Sequence, residues 1–421
     1  VSKLLYPQYT RKAAFAGDSL FTRFPANTLM KGGNVPFRPA DDSSFTFFGG
    51  LWGGGGQTWN QAWFTNEIDR ASSIGLNIIR LFGDLELQIG TGPFGSLDHN
   101  TFLTRVGTII DYARQQNIYV IMTGASVYEL YGVANTSGVI TSTALGYLSD
   151  LYSLCNGKTN VIAFDPIQES YAWVNNPQGN PNGYLHQANI TAAQLATMQS
   201  TIYSTLRPTS NIPITFSGPS VGFPMDKSMW LTNTNVTALE SIVDYWDHHV
   251  YYGNSTAPGL RLSHVDQMKS HTTKKWLCGE FGTPVTPNPG LGSGADYNQM
   301  KTIHEHSPSR GSLCWALGDQ STNSNDSWGC FDNSGNVRSI ATTLGTYATA
   351  AGSSGDLQTI TDGHGIVWHR FSDASISYNH LDANDGQTNQ DIFLVTGDAH
   401  VIGTDSVEYK WDYTNHQWVP A

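Results

Sequence analysis

Two glutamates stand where chemistry would need them. Glu169 closes the stretch N-V-I-A-F-D-P-I-Q-E (160–169), and Glu280 lies in K-K-W-L-C-G-E-F-G (274–282). A glutamate taken at random is a solvated surface group. These two each follow a short apolar run of the kind that forms a strand buried on both faces, in a chain with only 13% charged residues. Paired carboxylates can cleave an acetal: one protonates the leaving oxygen while the other attacks or stabilises the cationic carbon. A separation of ~5–5.5 Å suits direct attack by the carboxylate, and ~6.5–9.5 Å leaves room for a water. The two are 111 positions apart (280 minus 169), so only a long-range fold can bring them together.

The elements that would do so alternate. Strands are expected at Phe45–Leu51, Leu76–Phe82, Ile118–Met122, Val161–Phe164, Ile212–Phe216, Val243–Tyr251, Trp276–Phe281 and Leu313–Leu317. Between and after them, apolar residues recur at helical spacing, as in Phe64, Ile68, Ala71 and Ile74, or Phe102, Val106, Ile109 and Ile110. Thr191 is placed to cap the helix that Pro208 stops. Helices are also expected around Leu239, Met268, Ile303 and Leu344. Eight strands and eight helices in strict alternation close into a (β/α)8 TIM barrel, with both glutamates past the C-terminal ends of strands, four and seven. An open doubly wound sheet gives the same alternation, but no G-x-G-x-x-G follows a first strand.

Residues 1–44 read as N-terminal strands and loops, 45–350 as the barrel, and 357–421, beyond the small-residue linker Ala348–Asp356, as a small β-rich C-terminal domain with Asp385-Gly386 as a hairpin turn. At 421 residues the chain is long enough for a barrel of ~250 residues and a remainder.

A net charge of −12 argues against nucleic acid and against an anionic membrane surface, and no apolar run reaches the ~20 residues of a membrane span. Few charges with 12% aromatics suit a polar, uncharged partner. The chain begins without Met and reads as a processed or trimmed form. Four cysteines (Cys155, Cys278, Cys314, Cys330) permit one disulfide or buried free thiols. Five sequons, at Asn135, Asn189, Asn235, Asn254 and Asn325, are near chance for this composition.

Smaller signals receive plain readings. Gly53–Gly56 lacks a following Lys-Ser/Thr and reads as a loop at the mouth rather than a phosphate cradle. His304-Glu305-His306 lacks metalloprotease spacing and is expected on an outer helix face. Asp382, Asn384, Asp385 and Asp391 match a calcium loop only loosely. Trp52, Trp59, Trp173 and Trp246 are candidates to line a cleft, Trp52 and Trp173 foremost, or else core residues. Asp84 and Asp319 follow strands and would serve as ligands of hydroxyls or as caps.

With these residues in view, Phe45–Ala350 resembles the clan of retaining (β/α)8-barrel glycoside hydrolases that includes family-five cellulases and mannanases. The resemblance implies Glu169 as acid/base and Glu280 as nucleophile. It implies Arg80, in I-I-R-L-F, as the cation near the nucleophile, and His249 and Tyr251, in H-H-V-Y-Y, as the strand-six pair. Trp315, in L-C-W-A-L, matches the ring that floors the first sugar subsite. Where the clan has asparagine before the acid/base, this chain has Gln168; Pro166 precedes the glutamate, and strand three ends in Met122-Thr123-Gly124 without a histidine. These departures mark a divergent member. What the resemblance implies is a secreted, monomeric endo-β-glucanase or β-mannanase acting on a neutral β-linked polysaccharide by double displacement, with no metal or cofactor. The alternatives are an exo-glycosidase or transglycosylase on the same pair, and a non-catalytic carbohydrate-binding protein.

Overall fold

The structure is a computed structural model. It describes residues 21–25, 28–39, 45–47, 51–53, 58–83, 97–125, 138–170, 190–217, 239–250, 252–254, 257–260, 272, 274–282, 297–306, 309–319, 328–332, 334–338, 341 and 344–346, together with the C-terminal strands given below.

Seven parallel strands form one sheet: β1 (Met30–Val35), β4 (Ile78–Phe82), β5 (Tyr119–Ala125), β6 (Val161–Ile167), β7 (Trp246–Val250), β10 (Trp276–Phe281) and β11 (Gly311–Cys314). Their order is β6-β5-β4-β1-β11-β10-β7. The gap between the two outermost, β6 and β7, is filled by residues 212–217. Phe164 N–H donates to Pro213 O (2.9 Å), Thr215 N–H to Phe164 O (3.1 Å), and Asp244 N–H to Ile214 O (2.7 Å). That eighth segment closes the sheet, and the fold is a (β/α)8 barrel. All the residues of β4, β6, β7, β10 and β11 are buried, as expected where helices cover a parallel sheet.

Five described helices flank the strands: α1 (Gln61–Ser73), α2 (His99–Gln115), α3 (Ser142–Asn156), α4 (Ala192–Leu206) and α5 (Tyr297–His306). Four of these starts follow side-chain caps. Asn60, Asp98 and Thr141 accept from backbone N–H groups of Trp63, Thr101 and Ala144, and Thr191 forms a full capping box with Gln194. The expected cap at Thr191 is therefore present. No described helix is long and apolar enough to cross a membrane.

The first barrel strand corrects the sequence reading. It is Met30–Val35, ahead of residue 45; Phe45–Phe47 (β3) instead forms a small antiparallel hairpin with Phe37–Pro39 (β2), as Tyr252–Asn254 (β8) does with Ala257–Leu260 (β9). The run M-K-G-G-N-V does not look like a strand, yet its glycines are required. A Cβ on Gly32 would meet Ile78 and Leu313, and one on Gly33 would overlap Leu317. Glycine inside a strand marks such a close approach.

The bottom of the barrel is plugged from below. Phe21 and Phe24 pack with Met30, Ile78, Ile121 and Ile162. Phe21 meets Tyr245 edge-on at 5.0 Å, and Phe24 meets Tyr119 at 4.8 Å. Between them, Arg23 Nη1 donates to Lys158 O (2.9 Å) and Cys155 O (3.2 Å).

The chain divides into two compact units, the barrel unit being Ser19–Phe24 with Met30–Tyr347. In the other, Asp356–Thr361, Val367–Phe371, Ser375–Leu381 and Thr388–Leu394 form a four-stranded antiparallel sheet. His400–Ile402, Glu408–Asp412 and Gln417–Pro420 form a three-stranded one. The loosely calcium-like stretch 382–385 lies outside the described residues.

His304 also departs from expectation. It is buried, not on an outer face, with Nε2 3.0 Å from Ser312 Oγ of β11. The four cysteines are buried free thiols, with Cys314 Sγ 3.3 Å from Cys330 Sγ.

Candidate active site

The barrel's upper rim collects the candidates. Glu169 follows β6 directly, in a turn where its own φ is +50°, a left-handed conformation that non-glycine residues rarely adopt. The turn is held by Gln168 N–H donating to Ala125 O (2.9 Å) and Glu169 N–H donating to Ser217 Oγ (3.0 Å). Strained backbone of this kind persists where the surroundings over-determine it, and here it aims the carboxylate across the rim.

Glu280 reaches the rim by a different device. In the pairing of β10 with β7, Cys278 aligns with His248 and Glu280 with His249, so Gly279 is an extra, bulged residue. A bulge re-aims the side chains after it. The bulge can only be glycine, because a Cβ there would overlap the Asp247 carboxylate and approach Arg80 Nη2. Asn34 of β1 fixes it from the other side, with Nδ2 donating to Gly279 O (3.0 Å) and Cys314 O (3.0 Å).

Between the two glutamates stands His249, fully buried. Its Nδ1 is 2.6 Å from Glu169 Oε1 and 3.3 Å from Glu280 Oε2. One ligand atom of each of the three residues lies within 4.8 Å of the others. Burial alone would push the imidazole down, but the Glu280 and Glu169 carboxylates overcome it and raise it to about 9.

Glu280 has further partners. Gln168 Nε2 donates to its Oε1, and Arg80 Nη1 is 3.9 Å from the same oxygen. Arg80 is itself buried, and its Nη2 is paired with Asp247 Oδ2. Asp165 of β6 shares this interior. Burial pushes it up to about 6, against the pull of Arg80. Its Oδ1 accepts from Ser217 N–H at 3.3 Å.

Trp315 follows β11, with its N–H donating to Phe281 O (2.7 Å). Its ring meets Phe82 edge-on at 6.0 Å, and the bond to Ala316 is cis. It is partly exposed.

The structure thus brings together Glu169, Glu280, Arg80, Gln168 and His249. Tyr251 and Trp173 lie outside the described residues, as do Asp84 and 54–56 of the glycine run. Trp52 is a correction: it is wholly buried, stacked on Phe64 at 4.6 Å, with Nε1 donating to Phe82 O (2.7 Å), so no face of it remains for a sugar. Asp319 is taken up by Arg338, at 2.7 Å from each of its oxygens, which makes it a structural group. Sequence reasoning missed Asp165, Asp247 and Asn34. The available signal was a charge or amide inside an apolar strand of a chain with few charges.

Structures already solved share this architecture. A variant of GH5_18 from Streptomyces cattleya in complex with Manb1-4GlcNAc superimposes with a TM-score of 0.58 at 12% identity, over 76% of this chain and 80% of that one. GH5_18 from Bifidobacterium longum subsp. infantis gives 0.56 at 12% identity, over 80% and 84%. The fold is that of the GH5 barrels. A beta-glucosidase, 1317, follows at 0.50 and 9% identity, over 76% and 98%. No family model and no curated protein sequence matches the chain. At these identities the likeness to the GH5 barrels is one of fold, and the chemistry has to be argued from the residues.

Proposed function

We propose that this protein is a retaining glycoside hydrolase that cleaves β-glycosidic bonds of a neutral polysaccharide by double displacement. The observation that carries the reading is the closeness of the two carboxylates across His249, with one oxygen of each glutamate inside the 4.8 Å triangle. That closeness of single oxygens supports the ~5–5.5 Å carboxyl separation of retaining enzymes over the wider ~6.5–9.5 Å one.

Glu280 attacks the anomeric carbon while Glu169 protonates the leaving oxygen. Glu169 then takes a proton from water, which displaces Glu280. Arg80 and the Gln168 amide orient Glu280 and favour its ionised form. Gln168 Oε1 has no hydrogen-bond partner among the described residues. The Nε2 group serves the nucleophile, and Oε1 is left to accept from a sugar hydroxyl. Trp315 supplies the stacking face for the first sugar. The Manb1-4GlcNAc held by a structural neighbour adds β-1,4-linked mannosides to the substrates worth trying.

The test is reducing-end release from β-1,4-glucan, β-1,3-glucan, mannan, xylan and Manb1-4GlcNAc, with Glu280→Ala alongside. Turnover of one substrate that the substitution abolishes, and that azide partly restores, is the expected result. Full activity in Glu280→Ala removes it as nucleophile. Glycan binding without turnover moves the protein to the non-catalytic class. The products formed first distinguish endo from exo action.

A further inference from the structure

Beneath the catalytic pair lies a carboxylate that the double displacement does not use. Asp247 is completely buried in β7, two residues before His249 and on the same face of the strand. One of its oxygens, Oδ2, is held by Arg80 Nη2. The other, Oδ1, has no hydrogen-bond partner among the described residues, and His249 Nε2 lies 3.8 Å from it. A buried carboxylate oxygen left unpaired is costly, so its surroundings ask for a proton donor.

His249 Nε2 has a rival neighbour. Arg80 Nη1 lies 3.4 Å from it. A guanidinium can only donate, so Arg80 favours a neutral ring with the Nε2 lone pair exposed to it. Asp247 favours the opposite state, with a proton on Nε2 as well as on Nδ1. Which state holds decides what Glu169 faces across 2.6 Å.

We propose that Asp247 is a positioning residue that keeps His249 doubly protonated, and thereby sets the proton supply of Glu169. The line Asp247 Oδ1, His249 Nε2, His249 Nδ1, Glu169 Oε1 then runs from the barrel interior to the rim. A single proton is shared along its last link: it rests on His249 Nδ1, passes through Glu169 Oε1 to the leaving oxygen and so leaves the ring neutral, and the water that releases the glycosyl group returns a proton through Glu169 to Nδ1. The proton count is conserved over the cycle. Asp247 does not touch the reacting atoms.

The other groups facing Asp247 are accounted for. From β4 there is Arg80; from β6, Asp165; from β10, Cys278 and Glu280; and from its own segment, Tyr245 as well as His249. Burial, with Asp247 adding to it, pushes the Tyr245 hydroxyl and the Cys278 thiol up, so both are neutral near pH 7. Asp165 and Glu280 add negative potential, and Arg80 offsets one charge. Glu280 and Glu169 contribute most to the rise of the ring to about 9, and Asp247 adds to it from the Nε2 side.

The proposal rests on the glycosidase reading for its role in turnover, but not for the His249 state, and the experiment keeps the two apart. Ring-labelled histidine is followed by NMR in the full chain, with His249 assigned by the signal that His249→Gln removes. In the unsubstituted protein at pH 7, both His249 nitrogens should show protonated shifts; a neutral ring with an accepting Nε2 would overturn the proposal without any variant. In Asp247→Asn, the new amide can donate to Nε2, and the His249 midpoint should fall by about one pH unit or more. The alkaline limb of kcat should move down with it while KM changes little. An unchanged midpoint in a folded Asp247→Asn protein would also overturn the proposal. A shifted midpoint in a protein that turns over no glycan would uphold the Asp247–His249 link and sink the glycosidase reading instead.

Discussion

The lower and upper halves of the barrel are built on the same strands, and they differ by one step of the pleat. Ile78, Ala163 and Tyr245 belong to the packed lower core. Two residues further along the same faces come Arg80, Asp165 and Asp247, equally buried but charged. Below, the contacts are mostly hydrocarbon, and burial at ~25 cal/mol per Å² stabilises the fold. Above, each charge is costly unless paired, so Arg80 is held by Asp247 and set between Asp165 and Glu280. The contrast teaches a division of labour: the lower tier makes the barrel, and the upper tier spends part of that stability on holding charges out of water.

The sharpest way to separate the tiers is to remove a group from each and read both activity and stability. Glu169→Gln should lose about 10³-fold or more in kcat on substrates with poor leaving groups, equivalent to roughly 4 kcal/mol of barrier. Activated aryl glycosides, which need little protonation, should be spared in their first step. Equal losses on both would end the acid assignment. The melting temperature should stay close to that of the unsubstituted protein. In the lower tier the pattern inverts: Phe24→Ala removes a ring packed on Tyr119 and should cost about 3–5 kcal/mol in urea unfolding. Its kcat/KM, measured where the protein is folded, should be unchanged. A large kcat effect from Phe24→Ala would show that the tiers are not independent. A finer probe of the same tier is Ile162→Val, expected to cost about 1 kcal/mol with no effect on turnover.

Much of this division was legible before the fold was known. Seven of the eight strand positions announce themselves as apolar runs, because a strand covered on both faces has to be apolar along its length. Glu169 and Glu280 are visible because each closes such a run, and Arg80 and His249 through the family resemblance. The first strand is not legible, since Gly32 and Gly33 satisfy a steric demand set by Ile78 and Leu317, residues distant in sequence. Trp52 misleads for a related reason: an indole beside glycines looks like a mouth residue, and only the tertiary partners Phe64 and Phe102 show it to be core. Asp247 is hidden inside D-H-H-V, where a bulged partner strand, and not its own sequence, determines what it faces.

Two buried histidines carry the comparison to its smallest measurable effect. His249 is among carboxylates and rises to about 9; His304, between α5 and β11, is pushed down to about 3 by burial and then by Lys31. The unfolded value of both is ~6.5. His249 therefore contributes stability that is complete below about 6.5 and is lost as pH rises through about 9. His304 is the reverse: folded, it stays neutral, so below ~6.5 the unfolded chain binds a proton that the folded chain refuses, and stability falls towards about 3. Taken alone, their two contributions peak near pH 6.5 and fall by roughly 1–2 kcal/mol at pH 5 and pH 8.5. The difference between each histidine variant and the unsubstituted protein separates them from Asp165, whose rise to about 6 acts oppositely on the acid side. Urea unfolding at those three pH values would trace it. His304→Asn should flatten only the acid shoulder and His249→Gln only the alkaline one. If one substitution flattens both, the two sites share a network that the barrel wall between them does not interrupt.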